Sequence, residues 1–323
     1  MSLRASNKYL HLSLIFLSIL TGALFLYSAY TKIDPIQPFE YTLVEYLHLP
    51  WTLAALSARL IIGIEAALGV LMVLHLFGRN KWVLKFAFAL TIAFSIYLIT
   101  LWITVGNDVN CGCFGDAIWM SPSTSLIKNS GLLLVLAVLI RLHEGLKLKK
   151  ASIIATCMVI AALTLPFILS PLAAAKPTWL RNDRYKIGLQ DIYHDMNLGV
   201  PPADFTDTIA ARPDLAKGKH ILAFLSSTCQ HCRIAAYKMH IMKEKNPALP
   251  FLLIIGGTKS DLTDFWKGTK AQNVPFTRLN SESFMQHTGG RFPLIIWIND
   301  GWVEAKADYN TLNQGAIENW LSN

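Results

Sequence analysis

The sequence predicts a multi-domain chain, an all-α transmembrane helical bundle followed by an α/β domain, and three observations carry that expectation. The 323 residues are 53% hydrophobic and only 15% charged, whereas about a quarter of an ordinary soluble domain is charged. Five apolar runs of membrane-spanning length fall before residue 175. After them, β-rich and helical patterns alternate, as they do where helices cover a sheet.

The first span is read over residues 11 to 30, behind Arg4 and Lys8. A cleaved signal peptide competes for this stretch, since Ser28-Ala29-Tyr30 is rich in small residues, but the run is long for a signal and four more apolar segments follow. Those segments are 53 to 77, 82 to 105, 123 to 142 and 152 to 174. The chain therefore divides into a four-helix transmembrane domain (1–150), a fifth transmembrane helix (151–175), a polar connector (176–203) and an α/β domain (204–323). Lys and Arg concentrate in cytoplasmic loops. Arg4, Lys8, Arg79, Lys81, Lys85, Arg141, Lys147, Lys149 and Lys150 mark one side as inside. Residues 31–52 and 106–122, poor in positive charge, face outside, and so does everything after Ala174. The formal charge of +8 is spread through loops without a basic run interleaved with aromatics. It belongs to membrane flanks, and no nucleic-acid partner is expected.

The α/β domain reads as strand 220–225, helix 233–246, strand 251–255, helix 260–270, strand 276–279, strand 294–298, an Asn299-Asp300-Gly301 turn, strand 302–306 and helix 311–321. Where the first strand hands over to the first helix stands Thr228-Cys229-Gln230-His231-Cys232. A thiol at a helix N-terminus meets free N–H groups and the positive end of the helix dipole, so its thiolate is favoured. Cys229 is the expected nucleophile and Cys232 the resolving thiol, and His231 can add positive charge between them. Half of a zinc site is the alternative, but no second CxxC or His pair at ligand spacing follows in this domain.

This order of elements, Cys229-Gln-His-Cys232 and Arg291-Phe292-Pro293 before a strand together resemble the thioredoxin superfamily, above all its membrane-tethered, periplasm-facing members. The resemblance covers about residues 200 to 323. It implies a thioredoxin-like fold, thiol–disulfide exchange and a cis-proline at Pro293 facing the dithiol. Two positions depart from the family: Thr228 stands where Trp is usual, and Ala223 where many members carry a buried acid that manages the resolving thiol's proton.

A second pair, Cys111-Gly112-Cys113-Phe114-Gly115, lies in the outer loop between spans three and four. A disulfide across one intervening residue closes a small ring far from relaxed geometry, so it would be labile and oxidising. A soft-metal clamp, for example for copper(I), is the competing use of two thiolates, and a purely structural loop is the third. The four-helix unit with Cys-Gly-Cys-Phe-Gly in this loop resembles the MauE/DoxX-like redox-associated membrane family over residues 9 to 145, with residues 25–32 and 59–69 as weaker support. That resemblance implies a part in disulfide formation or thiol maturation of exported proteins, in a bacterial cytoplasmic membrane with the α/β domain in the periplasm.

Within the spans, Glu65, Arg59 and Lys128 are ionisable, and such groups in a membrane are functional-site candidates. Arg59 and Lys128 can equally snorkel. Glu65 is expected to pair with a base or, with Arg59, to line a quinone or proton site. Cys157 reads as an ordinary buried thiol, so thiols alone cannot relay electrons across the membrane. The remaining histidines share no ligand spacing and read as surface or interface residues. The expectation is a thiol–disulfide oxidoreductase with no tightly bound cofactor, exchanging electrons between Cys229/Cys232, Cys111/Cys113, exported protein thiols and a membrane quinone. Copper handling with a thiol-reducing domain, or a non-catalytic membrane tether, are the alternatives. The oligomeric state is left open.

Overall fold

The computed structural model describes the chain apart from residues 1, 78, 116, 146–150, 173–175, 191, 194–213, 257–258 and 280. It divides into two compact units, Met1–Leu172 and Ala173–Asn323. Gly199-Val200-Pro201-Pro202, His194, Lys147, Lys149 and Lys150 lie outside the described residues, as do the expected boundaries at 150 and 203.

In the first unit α1 (Ser2–Ile33), α2 (Gln37–Tyr46), α3 (Trp51–Val73), α4 (Trp82–Thr104), α5 (Pro122–Leu142) and α6 (Ala151–Leu169) follow one another. All but α2 are long and apolar enough to cross a membrane, so the chain is a multi-pass membrane protein. Their outward faces carry large apolar side chains such as Ile103, Ile127, Leu134 and Ile168, each at least 70% exposed, which suits lipid as solvent. Helices in lipid associate by close backbone approach at small residues, and α3 does so on two sides. A Cβ on Gly69 would sit 2.8 Å from the Gly22 carbonyl of α1, and one on Gly63 would sit 2.9 Å from Leu163 Cα of α6. The central helix is thereby clamped, and its charged residues are held at fixed depth. The other pair is α4 against α5. Ser121 caps α5, accepting from the Thr124 N–H, with Pro122 in the first turn.

The short α2 lies in what the sequence presented as an outer loop. Phe39, Tyr41, Leu43 and Val44 are buried within ten residues, too short a stretch for helical periodicity to stand out beside the spans. Cys157 corrects an expectation: it is exposed. α6 packs on α3, and its remaining circumference, including Cys157, faces outward.

The second unit is a six-stranded sheet in the order β1-β6-β5-β2-β3-β4, with β1 Thr178–Trp179, β2 Lys219–Ser226, β3 Phe251–Gly256, β4 Phe276–Arg278, β5 Leu294–Asn299 and β6 Trp302–Ala307. Strands β2 and β3 are parallel and joined through α7 (Gln230–Lys245), while β5 runs antiparallel to β2 and turns into β6. The turn residues Asp300 and Gly301 both have positive φ, 50° and 77°, the primed turn geometry of tight hairpins. Around the sheet lie α8 (Lys259–Thr269), α9 (Ser281–Thr288) and α10 (Gln314–Ser322). Every residue of β3 is buried, as a central strand covered on both faces requires. This is the thioredoxin-like order. Two elements were not legible beforehand: α9, eight residues long, and β1, which takes the start of the connector onto the sheet edge beside β6.

Because the Gly22–Gly69 crossing leaves no room for a side chain, Gly69→Val is expected to force α1 from α3. The check is the thermal midpoint of the purified protein in detergent, which should fall by several degrees, whereas Gly131→Val, at a position with nothing within 4 Å, should leave it nearly unchanged.

Candidate functional site

Cys229 stands where β2 ends and α7 begins. It is the N-cap of α7, extended at φ −83° and ψ 123°, and its sulfur accepts the Cys232 N–H at 3.4 Å. Helix N-termini leave N–H groups unpaired, and a cysteine as N-cap aims its sulfur at them. The Cys229 thiol is accordingly lowered to about 6, first by the hydrogen bond from the Cys232 thiol, then by the Cys232 and His231 backbone N–H groups and the His231 charge, against burial. Burial, and that same hydrogen bond, push Cys232 above the ordinary thiol range. Cys232 is fully buried and Cys229 half-buried. One sulfur is therefore an accessible thiolate at neutral pH and the other a protonated reserve beneath it, the asymmetry that exchange through a mixed disulfide needs.

Around the pair, His231 stacks on Tyr309 with ring centroids 4.4 Å apart and 13° between planes. Tyr309 was not anticipated; it lies some eighty residues away in the turn after β6, and no local pattern links it to the dithiol. Arg233 Nε donates to the Ser227 carbonyl at 3.2 Å, tying the loop to α7. Thr228 is exposed. Ala223 is buried with Leu253 and Ile295 as strand partners, so carbon, not a carboxylate, occupies the position of the usual acid. The Phe292–Pro293 bond is cis. Phe224 pairs with Leu294, which carries Pro293 to the end of β2 from which the dithiol loop leaves.

In the membrane unit, Cys111 is buried and Cys113 half-buried. The Cys113 N–H donates to the Cys111 sulfur at 3.2 Å, and that sulfur lies 3.0 Å from Ser125 Oγ. Gly112 and Gly115 take positive φ, 70° and 59°; a Cβ on Gly115 would lie 2.5 Å from the Thr31 carbonyl, so that glycine lets the loop lie against α1, while Gly112 faces Thr42 of α2. The Cys111 thiol, hydrogen-bonded to Cys113, and the nearby Lys128 and Lys32 draw Cys113 down to about 6 against burial. Cys111 is driven the other way by the same bond and by burial. Both dithiols thus consist of one low-pKa sulfur and one that keeps the proton.

Glu65 pairs with Lys32, not with Arg59: Lys32 Nζ lies 2.6 and 2.8 Å from the two carboxylate oxygens, both side chains 3% exposed, and also donates to Ser28 Oγ at 2.9 Å. Ser28 in turn donates to the Cys113 carbonyl at 3.0 Å. Arg59 lies apart from this group. It binds Glu40 at 2.6 Å and the Ser170 and Pro171 carbonyls, a structural anchor for α2 and the end of α6. Composition hides Lys32, which closes the first apolar run; the sequence signal for it is Ser28 and Lys32 four apart, one helical turn, in the stretch that carries the weaker resemblance. His143, read as surface or interface, is 1% exposed, packed edge-on to His75 and Phe77. Among the described residues, no three His, Cys, Asp or Glu side chains gather at metal-binding distance.

Fold and sites together define a multi-pass membrane protein carrying a thioredoxin-like domain with a CxxC dithiol. Residues 10–142 match the family model of methylamine utilisation protein MauE. The chain is 27% identical over 292 residues to Protein TlpB of Flavobacterium psychrophilum, covering 79% of each chain. Among solved structures, a secreted Mycobacterium tuberculosis disulfide oxidoreductase homologous to E. coli DsbE matches 32% of this chain and 81% of its own, at 15% identity and a TM-score of 0.27. The fold assignment rests on the sheet order and not on that superposition.

Two expected outcomes follow from this geometry. Iodoacetamide alkylation of reduced Cys229 should reach half its plateau near pH 6, and in Cys232→Ala, which removes the donor thiol, the midpoint should move up toward the ordinary thiol value of about 8.5. Because the folded pKa is the depressed one, ionised Cys229 stabilises the reduced domain above the unfolded value and ceases to as pH falls through about 6. Separately, Lys32→Met strands a buried carboxylate and should destabilise the membrane unit by about 3–5 kcal/mol, while Lys32→Met with Glu65→Leu should recover most of that, read as melting midpoints in detergent.

Proposed function

We propose that this protein is a membrane thiol–disulfide oxidoreductase in which the CQHC dithiol exchanges with thiols or disulfides of exported proteins and with the CGC pair of its own membrane unit. The observation that carries this reading is the paired asymmetry of Cys229 over Cys232 and Cys113 over Cys111. In the exchange, the Cys229 thiolate attacks a substrate disulfide and forms a mixed disulfide; Cys232 then gives up its proton, attacks Cys229 and releases the substrate as a dithiol. Two electrons now lie on the substrate and the S–S bond on Cys229/Cys232. In the other direction a substrate dithiol reduces Cys229–Cys232. In this reading His231 with its stacked Tyr309, and Pro293 beside the end of β2, flank the attacking sulfur, and the exposed Thr228 leaves room for a partner chain.

Topology supports pairing the two dithiols. With the N-terminus cytoplasmic and five spans, the loop of Cys111/Cys113 and the thioredoxin-like domain share the periplasmic side of a bacterial inner membrane. A covalent tether raises the effective concentration of one dithiol near the other. Both pairs hold one low-pKa sulfur, so the small ring of a Cys-Gly-Cys disulfide, which disfavours the oxidised form, is what directs electrons from Cys229/Cys232 to Cys111/Cys113 in this reading. From there they pass to a membrane quinone, because the remaining cysteine, Cys157, is single.

The burial of Cys111 makes Cys113 the sulfur open to attack, so the trapping experiment uses Cys111→Ser with Cys232→Ser. Mild oxidation of that double variant should yield a Cys229–Cys113 mixed disulfide, seen as a bridged peptide by mass spectrometry. If Cys229 still captures exported substrates but no such bridge forms, the two pairs do not exchange.

A further inference from the structure

A cavity of about 170 Å³ opens beside Cys113 inside the membrane unit, lined by residues of α1 through α5 and of the CGC loop. A cavity of about 150 Å³ is large enough to bind benzene. The walls are mostly carbon, with Phe39, Phe94 and Phe114 among the rings. A peptide entering here would leave most of its N–H and C=O groups without partners, at a cost of roughly 1–3 kcal/mol each, so the cavity suits a small, largely apolar ring better. Leu47, which lines the cavity, is 47% exposed, so the cavity wall reaches the protein surface there.

Two lysines line the cavity, and they are not equivalent. The three ammonium hydrogens of Lys32 are matched by Glu65 and Ser28. Lys128, half-buried on α5, has its ammonium 4.5 Å from the centre of the Phe114 ring and no hydrogen bond or ion pair recorded among the described residues. An ammonium with hydrogens to spare, an apolar slot for a ring and a redox sulfur at its edge are the groups that a quinone headgroup requires.

We propose that this cavity binds the headgroup of a para-quinone from the bilayer, with Lys128 donating to one ring carbonyl oxygen while Cys111/Cys113 supplies the electrons. The proposal rests on the oxidoreductase reading and deepens it. As the sulfurs join, the Cys111 S–H bond breaks, the Cys111–Cys113 S–S bond forms, and two electrons pass to the quinone. The quinone takes two protons, one from Cys111 and one from Lys128, which is reprotonated from water; the products are the disulfide and the quinol. Lys128 thus acts on the ligand's oxygen, where negative charge gathers, and its cation also holds Cys113 as thiolate beforehand.

The test uses the full chain in nanodiscs, reduced and freed of reductant, with duroquinone, whose fully substituted ring does not alkylate thiols. Quinol formation is followed by absorbance, and insulin reduction reports Cys229/Cys232 independently. Wild type is expected to reduce duroquinone. Lys128→Met should lower the single-turnover second-order rate constant for duroquinone reduction at least tenfold with insulin reduction unchanged, Lys128→Arg should restore most of it, and Phe94→Trp, which fills the slot, should raise the duroquinone concentration that gives the half-maximal rate while the pH profile of Cys113 alkylation stays in place. If the full chain reduces insulin but not duroquinone, or if Lys128→Met and Phe94→Trp both reduce duroquinone like wild type, the quinone site is overturned while the oxidoreductase reading stands. If insulin is not reduced either, it is that underlying reading which falls.

Discussion

The ion pair of Lys32 and Glu65, 2.6 Å apart and each about 3% exposed, joins α1 to α3 inside the membrane unit. An unpaired charge at that depth would cost several kcal/mol, so the two helices are held at one height relative to each other. Small residues make this possible: the backbone contact at Gly22 and Gly69 brings the helices close enough for the side chains to meet. Ser28 extends the pair to the carbonyl of Cys113. The position of the Cys111/Cys113 loop is therefore tied to charges buried in the bundle, and so is the wall of the cavity beside it.

The same electrostatic rule works at both dithiols through different materials. In the thioredoxin-like domain the positive potential comes from backbone N–H groups at the start of α7, available because Cys229 is itself the N-cap. In the membrane unit the Cys111 thiol bonds to Cys113 first, and the ammonium groups of Lys128 and Lys32 and the Ser125 hydroxyl in the first turn of α5 add to it. In each case burial of the second sulfur keeps a proton in reserve. Glu65 balances the Lys32 ammonium of α1, while the Lys128 ammonium of α5 stands over the Phe114 ring.

Much of this was legible in the sequence, because spans and strands announce themselves through composition and period. The five membrane helices and the order of strands around the dithiol follow from apolar runs and turn residues, and the cis-proline from a family resemblance. What escaped was short or non-local. The helices α2 and α9 have ten and eight residues, too few for a period to stand out, and β1 has two. The pairing of Glu65 with Lys32 instead of Arg59 is a matter of helix rotation, which hydropathy does not encode. The stack of Tyr309 on His231 and the cavity itself depend on packing between segments far apart in the chain. Whether Cys157 was buried or exposed turned on how little of α6 is covered by its neighbour.

Electron flow from the CQHC dithiol to the CGC pair, as proposed, requires the membrane pair to be the harder of the two to oxidise. Equilibrating the full chain across glutathione redox buffers and quantifying each pair by differential alkylation and mass spectrometry tests it directly. Cys229/Cys232 is expected to be oxidised at glutathione ratios that still leave Cys111/Cys113 reduced, so that the membrane pair has the higher potential. Cys111/Cys113 oxidising first would contradict it.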